Sequence, residues 1–301
     1  MLLSEIDLHY HAGMERQGGA SLADYLDHAV ATGRHFIGLT DHVGRYMDGM
    51  PQHHHPGIYS PDLAGLLQYR GEMEALRPLY PELAVFFAPE YPHTTPLGRL
   101  AEEWLAPADY CICELTFDER PEAGPGERTD IAISYLGDVA RLRERSGKPT
   151  YFAHPLRDSM NRRIYDPPEL DPAVIELARR ASATLDCADL NALFECDLAA
   201  IGQAAGELNV ALEVNGETRG RILRILPELY PAYIAAYRLM CDNGARLVAG
   251  TDQHDPRHFP AISGWTEPIA LLGPESLDVG FYQSLGIKVE LESEAPGPRH
   301  R

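Results

Sequence analysis

Short apolar runs alternate along this chain with polar loops and with stretches of helical periodicity. Seven runs have the length and composition of buried β-strands, at residues 4–9, 36–40, 84–89, 109–115, 149–153, 209–214 and 246–250. Helical patterns lie among the segments between them, as at 134–145, 172–183 and 230–243. This alternation predicts a parallel α/β arrangement, either a closed barrel or a doubly wound sheet.

The clearest helix begins at a capping box that runs from Ser21 to Asp24. Apolar residues follow Leu22 at i+3, i+4, i+7 and i+8, which places them on one face, and Gly33 ends the pattern. An amphipathic helix is therefore predicted between the first two strands.

Length and composition indicate a single globular domain. The chain has 301 residues, 45% of them hydrophobic and 24% charged, and neither a repeat nor a composition shift divides it. We expect one domain over residues 1–290 and a disordered tail at 291–301. The sequence has no apolar run of about 18 residues, and it enters a strand-like segment at Met1 without a signal peptide, so a cytoplasmic protein without membrane contact is expected.

The net charge narrows the range of partners. It is −19, from 26 basic and 45 acidic side chains, so the polyphosphate backbone of a nucleic acid would be repelled. A small phosphorylated substrate is compatible with this charge, because metal ions and arginines can outweigh the global field close to a site. The sequence leaves the oligomeric state open.

Possible metal ligands stand at the end of every predicted strand. They are His9 and His11, Asp41 and His42, Glu90, Glu114, His154, Glu213, and Asp252 with His254. In a parallel barrel the carboxyl ends of the strands meet on one face, so these side chains would converge. Imidazole mixed with carboxylate suits zinc, iron or manganese, and the set is larger than one ion needs.

Two ligand pairs have a spacing that favours chelation. His9 and His11 are two residues apart, and so are Asp252 and His254. On extended backbone, side chains at i and i+2 point to the same face. For Glu213, by contrast, we favour polar contacts at the rim of the site over metal binding.

Five segments resemble the PHP (polymerase and histidinol phosphatase) family in order and spacing. They are Asp7-Leu8-His9-Tyr10-His11-Ala12-Gly13, Gly38-Leu39-Thr40-Asp41-His42, Ala88-Pro89-Glu90, Phe152-Ala153-His154-Pro155 and Gly250-Thr251-Asp252-Gln253-His254. The resemblance implies a distorted (β/α)7 barrel, two or three divalent metal ions (Zn, Mn or Fe) and phosphoesterase activity. It also implies the metal ligands His9, His11, His42, Glu90, His154, Asp252 and His254.

The chain departs from the family pattern at two positions. The loop after the first histidine pair offers Glu15 as the nearest candidate for a further ligand, slightly out of step. Thr116 stands where the family has a histidine after the fourth strand. Glu114, Cys113 and His93 are alternative replacements for that histidine, and the sequence does not choose among them.

The resemblance implies hydrolysis of a small phosphorylated metabolite, with a hydroxide bridging two ions as the nucleophile. Arginines after the ligands are candidates for phosphate binding, namely Arg157, Arg162 or Arg163, and Arg45. Asp41 is predicted to orient the neighbouring imidazole of His42. The tract His53–His55 is either a lid over the site or an exposed loop.

Two other readings remain open. A metal-dependent amidohydrolase also uses a His-x-His strand and a late Asp, but the sixth strand here ends in Glu213-Val214-Asn215 and offers no histidine. A non-catalytic, metal-stabilised scaffold is left open by Thr116. The substrate itself is not readable from the sequence.

Overall fold

The computed structural model describes residues 1–12, 20–43, 63–92, 97–115, 122–160, 163, 171–254 and 264–290. Over these residues the chain has an α/β fold in which all strand pairs are parallel. The strands are β1 (Ile6–His11), β2 (Phe36–Thr40), β3 (Ala84–Phe87), β4 (Glu90–Pro92), β5 (Cys111–Glu114), β6 (Thr150–Ala153), β7 (Ala211–Asn215) and β8 (Leu247–Gly250).

Helices connect the strands. They are α1 (Leu22–Ala31), α2 (Leu63–Leu76), α3 (Glu102–Leu105), α4 (Pro125–Ser146), α5 (Arg157–Met160), α6 (Pro172–Thr184), α7 (Cys187–Phe194), α8 (Leu198–Leu208), α9 (Gly216–Ile225), α10 (Tyr230–Asp242), α11 (Glu267–Leu272) and α12 (Val279–Ser284). Short 3₁₀ turns occupy Leu3–Glu5, Arg77–Leu79, Leu97–Arg99, Pro227–Leu229 and Pro274–Ser276. Among the described helices, none combines the length and the apolar character that crossing a membrane requires.

The third predicted strand corresponds to β3, and a further strand that was not predicted, β4, follows it after Ala88 and Pro89. β3 pairs with β2, whereas β4 pairs with β5, so the described strands form one sheet of order β1-β2-β3 and another of order β4-β5-β6-β7-β8. The change of sheet falls at Ala88 and Pro89, and Pro89 has no N–H to continue a ladder. The predicted strand over 84–89 therefore corresponds to β3, while β4 begins one residue beyond that range.

The first helix confirms the sequence pattern. α1 has Ser21 as its N-cap, and the reciprocal bonds with Asp24 form the predicted capping box. Its buried residues include Leu22, Tyr25 and Leu26. This amphipathic face packs α1 into the core beside β1 and β2.

Hydrogen bonds to an irregular part of β1 connect the two sheets in the interior of the protein. The register with β2 shifts between Asp7 and Tyr10. The Leu8 carbonyl accepts hydrogen bonds from the hydroxyls of Tyr110 at 2.6 Å and Tyr151 at 3.1 Å, which reach it from the other sheet. Gly38 makes room for this contact, because a Cβ there would collide with the Tyr110 hydroxyl.

Backbone hydrogen bonds also join the sheets at the carboxyl ends of the strands. The amide of Asp252 donates to the His9 carbonyl at 2.7 Å. On the other side, the amide of Glu90 donates to the Asp41 carbonyl at 3.0 Å. These bonds hold four candidate site residues at one end of the molecule. The closure of the strands into one seven-stranded barrel stays a prediction, and so does the single domain over residues 1–290.

Candidate metal centre

The two histidines at the end of β1 face each other across the site. His9 Nε2 and His11 Nε2 lie 3.0 Å apart, and both residues are buried. The expected pairing of side chains at i and i+2 is therefore present in the structure. Two imidazole nitrogens that meet in this way suit a shared cation.

Glu90 and Asp252 direct one carboxylate oxygen each toward these nitrogens. Asp252 Oδ2 accepts from Arg157 Nη1 at 2.6 Å and from Asn215 Nδ2 at 3.3 Å, whereas Oδ1 has no hydrogen-bond partner. Glu90 divides its oxygens similarly, with Oε1 3.2 Å from His154 Nε2 and Oε2 without a hydrogen bond. Both residues are almost fully buried, so each leaves one oxygen uncompensated inside the protein.

The spacing of these four donors fits a divalent cation. His9 Nε2, His11 Nε2, Glu90 Oε2 and Asp252 Oδ1 are separated by 3.0–3.6 Å in the five measured pairs. Tetrahedral ligands at about 2.0–2.2 Å from zinc stand about 3.3–3.6 Å from one another. The donor chemistry and the separations therefore match a zinc-like site, and the oxygens without hydrogen bonds supply the charge that such an ion needs.

Further imidazoles extend the cluster. Ligand atoms of His11, His42 and His254 lie within 4.8 Å of one another, and the rings of His11 and His254 stack with centroids 3.9 Å apart. His42 Nδ1 lies 2.8 Å from Glu90 Oε2. Because His11, His42 and Glu90 are each shared between neighbouring donor groups, the cluster can hold more than one ion.

His154 and Arg157 lie in the site just after the carboxyl end of β6. His154 follows β6, and its Nε2 lies 3.1 Å from Arg157 Nη1. The Arg157 side chain is 20% exposed and carries positive charge at the edge of the ligand cluster. Among the predicted phosphate-binding arginines that the structure describes, Arg157 is the one whose side chain lies beside candidate ligands.

Three polar residues that the sequence did not identify as supports of the ligands hold those ligands in place. Glu213 is fully buried and accepts from the His154 amide at 3.1 Å, and its Oε1 lies 2.8 Å from His9 Nδ1. Asn215 bridges Glu213 and Asp252. The expected polar contacts of Glu213 are present, but the expectation that they lie at the rim was wrong, because Glu213 is fully buried between His9 and His154.

Asp7 is the third such residue. Its Oδ1 accepts from the amides of His9 and Thr251, and its Oδ2 accepts from the Thr251 hydroxyl at 2.7 Å and from Arg34 Nε at 3.2 Å. Asp7 thereby couples the ends of β1 and β8, from which four candidate ligands project. The sequence signal that could have identified this role is an Asp two residues before a His-x-His segment.

Two candidate ligands have left-handed backbone. His154 has φ 30° and Asp252 has φ 56°. Residues other than glycine seldom adopt this region, and the strain is typical of functional sites. Asp252 and His254 do converge, with His254 Nδ1 3.7 Å from Asp252 Oδ1, but not on extended chain as predicted, because β8 ends at Gly250.

Charges within the cluster set its protonation. Burial lowers the pKa of His11, but the carboxylates of Asp252 and Glu90, at 3.2 and 3.3 Å from its Nε2, outweigh this effect and raise that pKa to about 9. Burial likewise opposes the charge on His9, yet Glu213, Glu90 and Asp252 hold its pKa well above the usual value. Burial and the charge of His11 hold the pKa of His254 well below its usual value. The carboxylates thus favour a bound proton at this histidine pair in the metal-free chain.

The structure also describes three further residues that the sequence analysis named, Arg163, Cys113 and Asp41. Arg163 donates to the carbonyls of Ala192 and Leu193 at the end of α7, which is a structural contact. Cys113 is a fully buried core residue, and burial raises the pKa of its thiol well above the usual value. Asp41 is fully buried, and its proposed effect on His42 stays a prediction.

Several predictions fall outside the part of the chain that the structure describes. These are the candidate ligand Glu15, the arginines Arg45 and Arg162, the position Thr116 with the alternative His93, the tract His53–His55 and the tail 291–301.

Comparison with known proteins identifies similar folds. No protein-family model matches the chain, and no curated protein matches it by sequence. A histidinol phosphate phosphatase from Lactococcus lactis subsp. lactis Il1403, complexed with zinc, L-histidinol and phosphate, has a TM-score of 0.58 and 17% identity over 90% of this chain and 94% of that chain. A putative histidinol phosphatase from Listeria monocytogenes has a TM-score of 0.52 and 13% identity over 87% of this chain and 98% of that chain. At these identities the likeness shows a mixed α/β fold similar to these phosphatases.

Proposed function

We propose that this protein is a metal-dependent phosphoesterase that hydrolyses a small phosphorylated metabolite. The observation that carries the proposal is the meeting of His9 Nε2, His11 Nε2, Glu90 Oε2 and Asp252 Oδ1 at separations of 3.0–3.6 Å. The similar fold of a phosphatase complexed with zinc, L-histidinol and phosphate supports the choice of reaction. A histidinol-phosphate-like monoester is the first substrate to test.

Two of the proposed ligands, His9 and Asp252, keep one donor atom for the metal while the protein holds the other polar atom. His9 is oriented by Glu213, and Asp252 by Arg157 and Asn215. His42, His154 and His254 are the further imidazole ligands of the proposal, and Glu15 remains a candidate for the same role. When bound, divalent ions activate water as a nucleophile at neutral pH and neutralise charge on the phosphoryl group.

Arg157 is the proposed phosphate-binding residue. Its guanidinium lies beside the ligand cluster and is partly exposed. Arginine presents several N–H donors in a planar fork that matches phosphoryl oxygens. Arg45 and Arg162 stay candidates for the same task. The charge of −19 restricts the proposal to small substrates, because a polyanion would be repelled from most of the surface.

A reconstitution experiment tests the proposal. The protein is stripped with a chelator, shown to be metal-free by elemental analysis, and reloaded with Zn²⁺ or Mn²⁺. Both forms are then assayed against phosphomonoesters, L-histidinol phosphate among them, and phosphodiesters. We expect phosphate release only after reloading. Undiminished hydrolysis by the verified metal-free protein, or none by the fully loaded protein on any ester, would contradict the proposal.

A further inference from the structure

His254 lies beyond the end of β8, on backbone that belongs to no strand or helix. The two residues before it are tied to β1, because the amide of Asp252 donates to the His9 carbonyl and the amide of His11 donates to the Gln253 carbonyl. This pairing stops one residue before His254, since β1 ends at His11. The position of the His254 backbone therefore requires a contact from another element.

Tyr25, on the buried face of α1, supplies such a contact. Its hydroxyl donates a hydrogen bond to the His254 carbonyl at 2.7 Å, although 229 residues separate the two in the chain. Tyr25 is fully buried, and a buried tyrosine hydroxyl is expected to have a hydrogen-bond partner. The Tyr25 ring packs edge-on against Tyr10, with centroids 5.6 Å apart, and Tyr10 lies between His9 and His11 on β1. One side chain of α1 thus contacts two segments that carry candidate ligands.

The ring of His254 is arranged to offer one nitrogen to a metal. Its Nδ1 lies 3.0 Å from the Asp252 carbonyl oxygen, which can only accept, so Nδ1 carries the hydrogen and Nε2 keeps its lone pair. The ring also stacks on His11 with centroids 3.9 Å apart. Because the donor nitrogen and the carbonyl held by Tyr25 belong to the same residue, a shift of the His254 backbone would displace that nitrogen relative to the cluster.

We propose that Tyr25 is a positioning residue of the metal centre, which acts by holding the His254 carbonyl so that the His254 imidazole faces the cluster. This inference rests on the proposed metal centre, and Tyr25 lies outside the five segments that carry the ligands. Partners that fix ligating histidines contribute about 10- to 100-fold to metal affinity. Tyr25 acts on the backbone rather than on the ring, so its contribution should lie near the lower end of this range.

Co²⁺ binding tests this inference without relying on activity. The unmodified chain and Tyr25→Phe are made metal-free and titrated with Co²⁺, whose visible absorption depends on the geometry of its ligands. We expect Tyr25→Phe to weaken one Co²⁺ site by about tenfold and to change its spectrum, while the remaining sites keep their affinities. Tyr80→Phe is the matched control, because the Tyr80 hydroxyl also contacts α1, at the Ala23 carbonyl and at Asp27, and it should bind Co²⁺ like the unmodified chain.

A double-mutant cycle with His254→Ala separates positioning from a general structural role. Alanine keeps the carbonyl that Tyr25 binds but removes the donor nitrogen, so Tyr25→Phe should cause no further loss of Co²⁺ affinity in this background. Additive losses of affinity would overturn the inference. An unchanged Co²⁺ affinity and spectrum in folded Tyr25→Phe would overturn it as well, even if the metal-free variant were less stable.

Circular dichroism of the metal-free proteins establishes that each variant is folded. Phenylalanine keeps the ring that packs against Tyr10, and Tyr25→Met, which fills the core without a hydroxyl, is the second variant if Tyr25→Phe is poorly folded. Proteins that show the expected pattern of Co²⁺ binding but hydrolyse no ester would refute the proposed function and leave the assignment of Tyr25 standing. An unmodified chain that binds no Co²⁺ would overturn both.

Discussion

Glu213 and His9 are hydrogen-bond partners in the ligand cluster, although 204 residues separate them in the chain. Glu213 Oε1 lies 2.8 Å from His9 Nδ1, and both side chains are fully buried. The contact turns the imidazole so that its Nε2 faces His11 Nε2 at 3.0 Å. A carboxylate behind a ligating histidine fixes the ring and increases its basicity.

Glu213→Gln should therefore weaken metal binding without removing a ligand. We expect a loss of about 10- to 100-fold in Zn²⁺ affinity, measured by competition with a chromophoric chelator. Glu207→Gln is the control, because that exposed carboxylate lies on α8, where it accepts a hydrogen bond from Gln203. Equal Zn²⁺ affinities for Glu213→Gln and the unmodified chain would show that the contact does not act on the metal.

The sequence predicted the positions of the candidate ligands better than their surroundings. His9, Glu90 and His154 were found because strand ends are readable from short apolar runs, and parallel strands bring their carboxyl ends together. Glu213 was misjudged because its role depends on a partner 204 residues away, which no local pattern reveals.

Two backbone features also escaped the sequence reading. The chain passes from one sheet to the other at Ala88 and Pro89, directly after β3, and only the pairing partners, Leu39 on one side and Ile112 on the other, reveal this change. Asp252 reaches the site through a left-handed backbone rather than through strand alternation. Aspartate tolerates this conformation better than most residues, but its presence alone does not predict it.

Metal binding should release protons at neutral pH. The pKa of His11 is raised to about 9, and that of His9 is also raised, so this histidine pair favours a bound proton at neutral pH in the metal-free chain. These raised pKa values stabilise the folded state of the metal-free chain. The stabilisation is fully present at pH values below about 6.5, the usual pKa of histidine, and it is lost as the pH rises through about 9.

A metal must displace this proton, so apparent Zn²⁺ affinity should rise with pH up to about 9. Isothermal titration calorimetry at pH ~7.5 in two buffers of different ionisation enthalpy counts the protons released. His254, whose pKa is lowered, should contribute none. Binding that is independent of both buffer and pH would contradict the protonated state.

Gly250→Ala should disturb the contact between Glu213 and His9 and thereby weaken the site. A Cβ at Gly250 would fall against Glu213 Oε1 and His9 Cβ, so the methyl group would push apart the pair that orients His9. Overpacking of this kind costs about 1–3 kcal/mol of stability, and Zn²⁺ affinity should fall as well. Thermal unfolding and chelator competition measure the two effects. Gly71→Ala, where a Cβ meets nothing within 4 Å on exposed α2, is the control. An unaltered Zn²⁺ affinity in Gly250→Ala would show that the pair tolerates displacement.

Arg157→Gln should separate phosphate binding from metal binding. Losing a charge-assisted hydrogen bond costs about 1.5–3 kcal/mol, so kcat/KM for a phosphomonoester should fall by about 10- to 100-fold. Because Arg157 also bonds Asp252 at 2.6 Å, the metal content of the assayed sample must be measured. Arg141→Gln, an exposed arginine on α4, serves as control. Normal kcat/KM at full metal content would remove Arg157 from the substrate site.

Asp252→Asn should abolish most of the stabilisation that zinc confers. A metal that binds only the folded state stabilises it by about 2.7 kcal/mol at one hundred times its Kd, which corresponds to about 4 °C in a chain of this size. Asparagine accepts the left-handed backbone at φ 56°, so the variant should fold, but its neutral amide is a poor substitute for Oδ1 beside His11 Nε2 at 3.2 Å. The melting temperature is measured with and without Zn²⁺, and the increment is compared, because losing the ion pair with Arg157 also lowers the metal-free value. Asp130→Asn, an exposed carboxylate on α4, should keep the full increment. An equal increment in Asp252→Asn would exclude Asp252 as a ligand, since mass action requires that losing a ligand reduce the zinc-dependent stability.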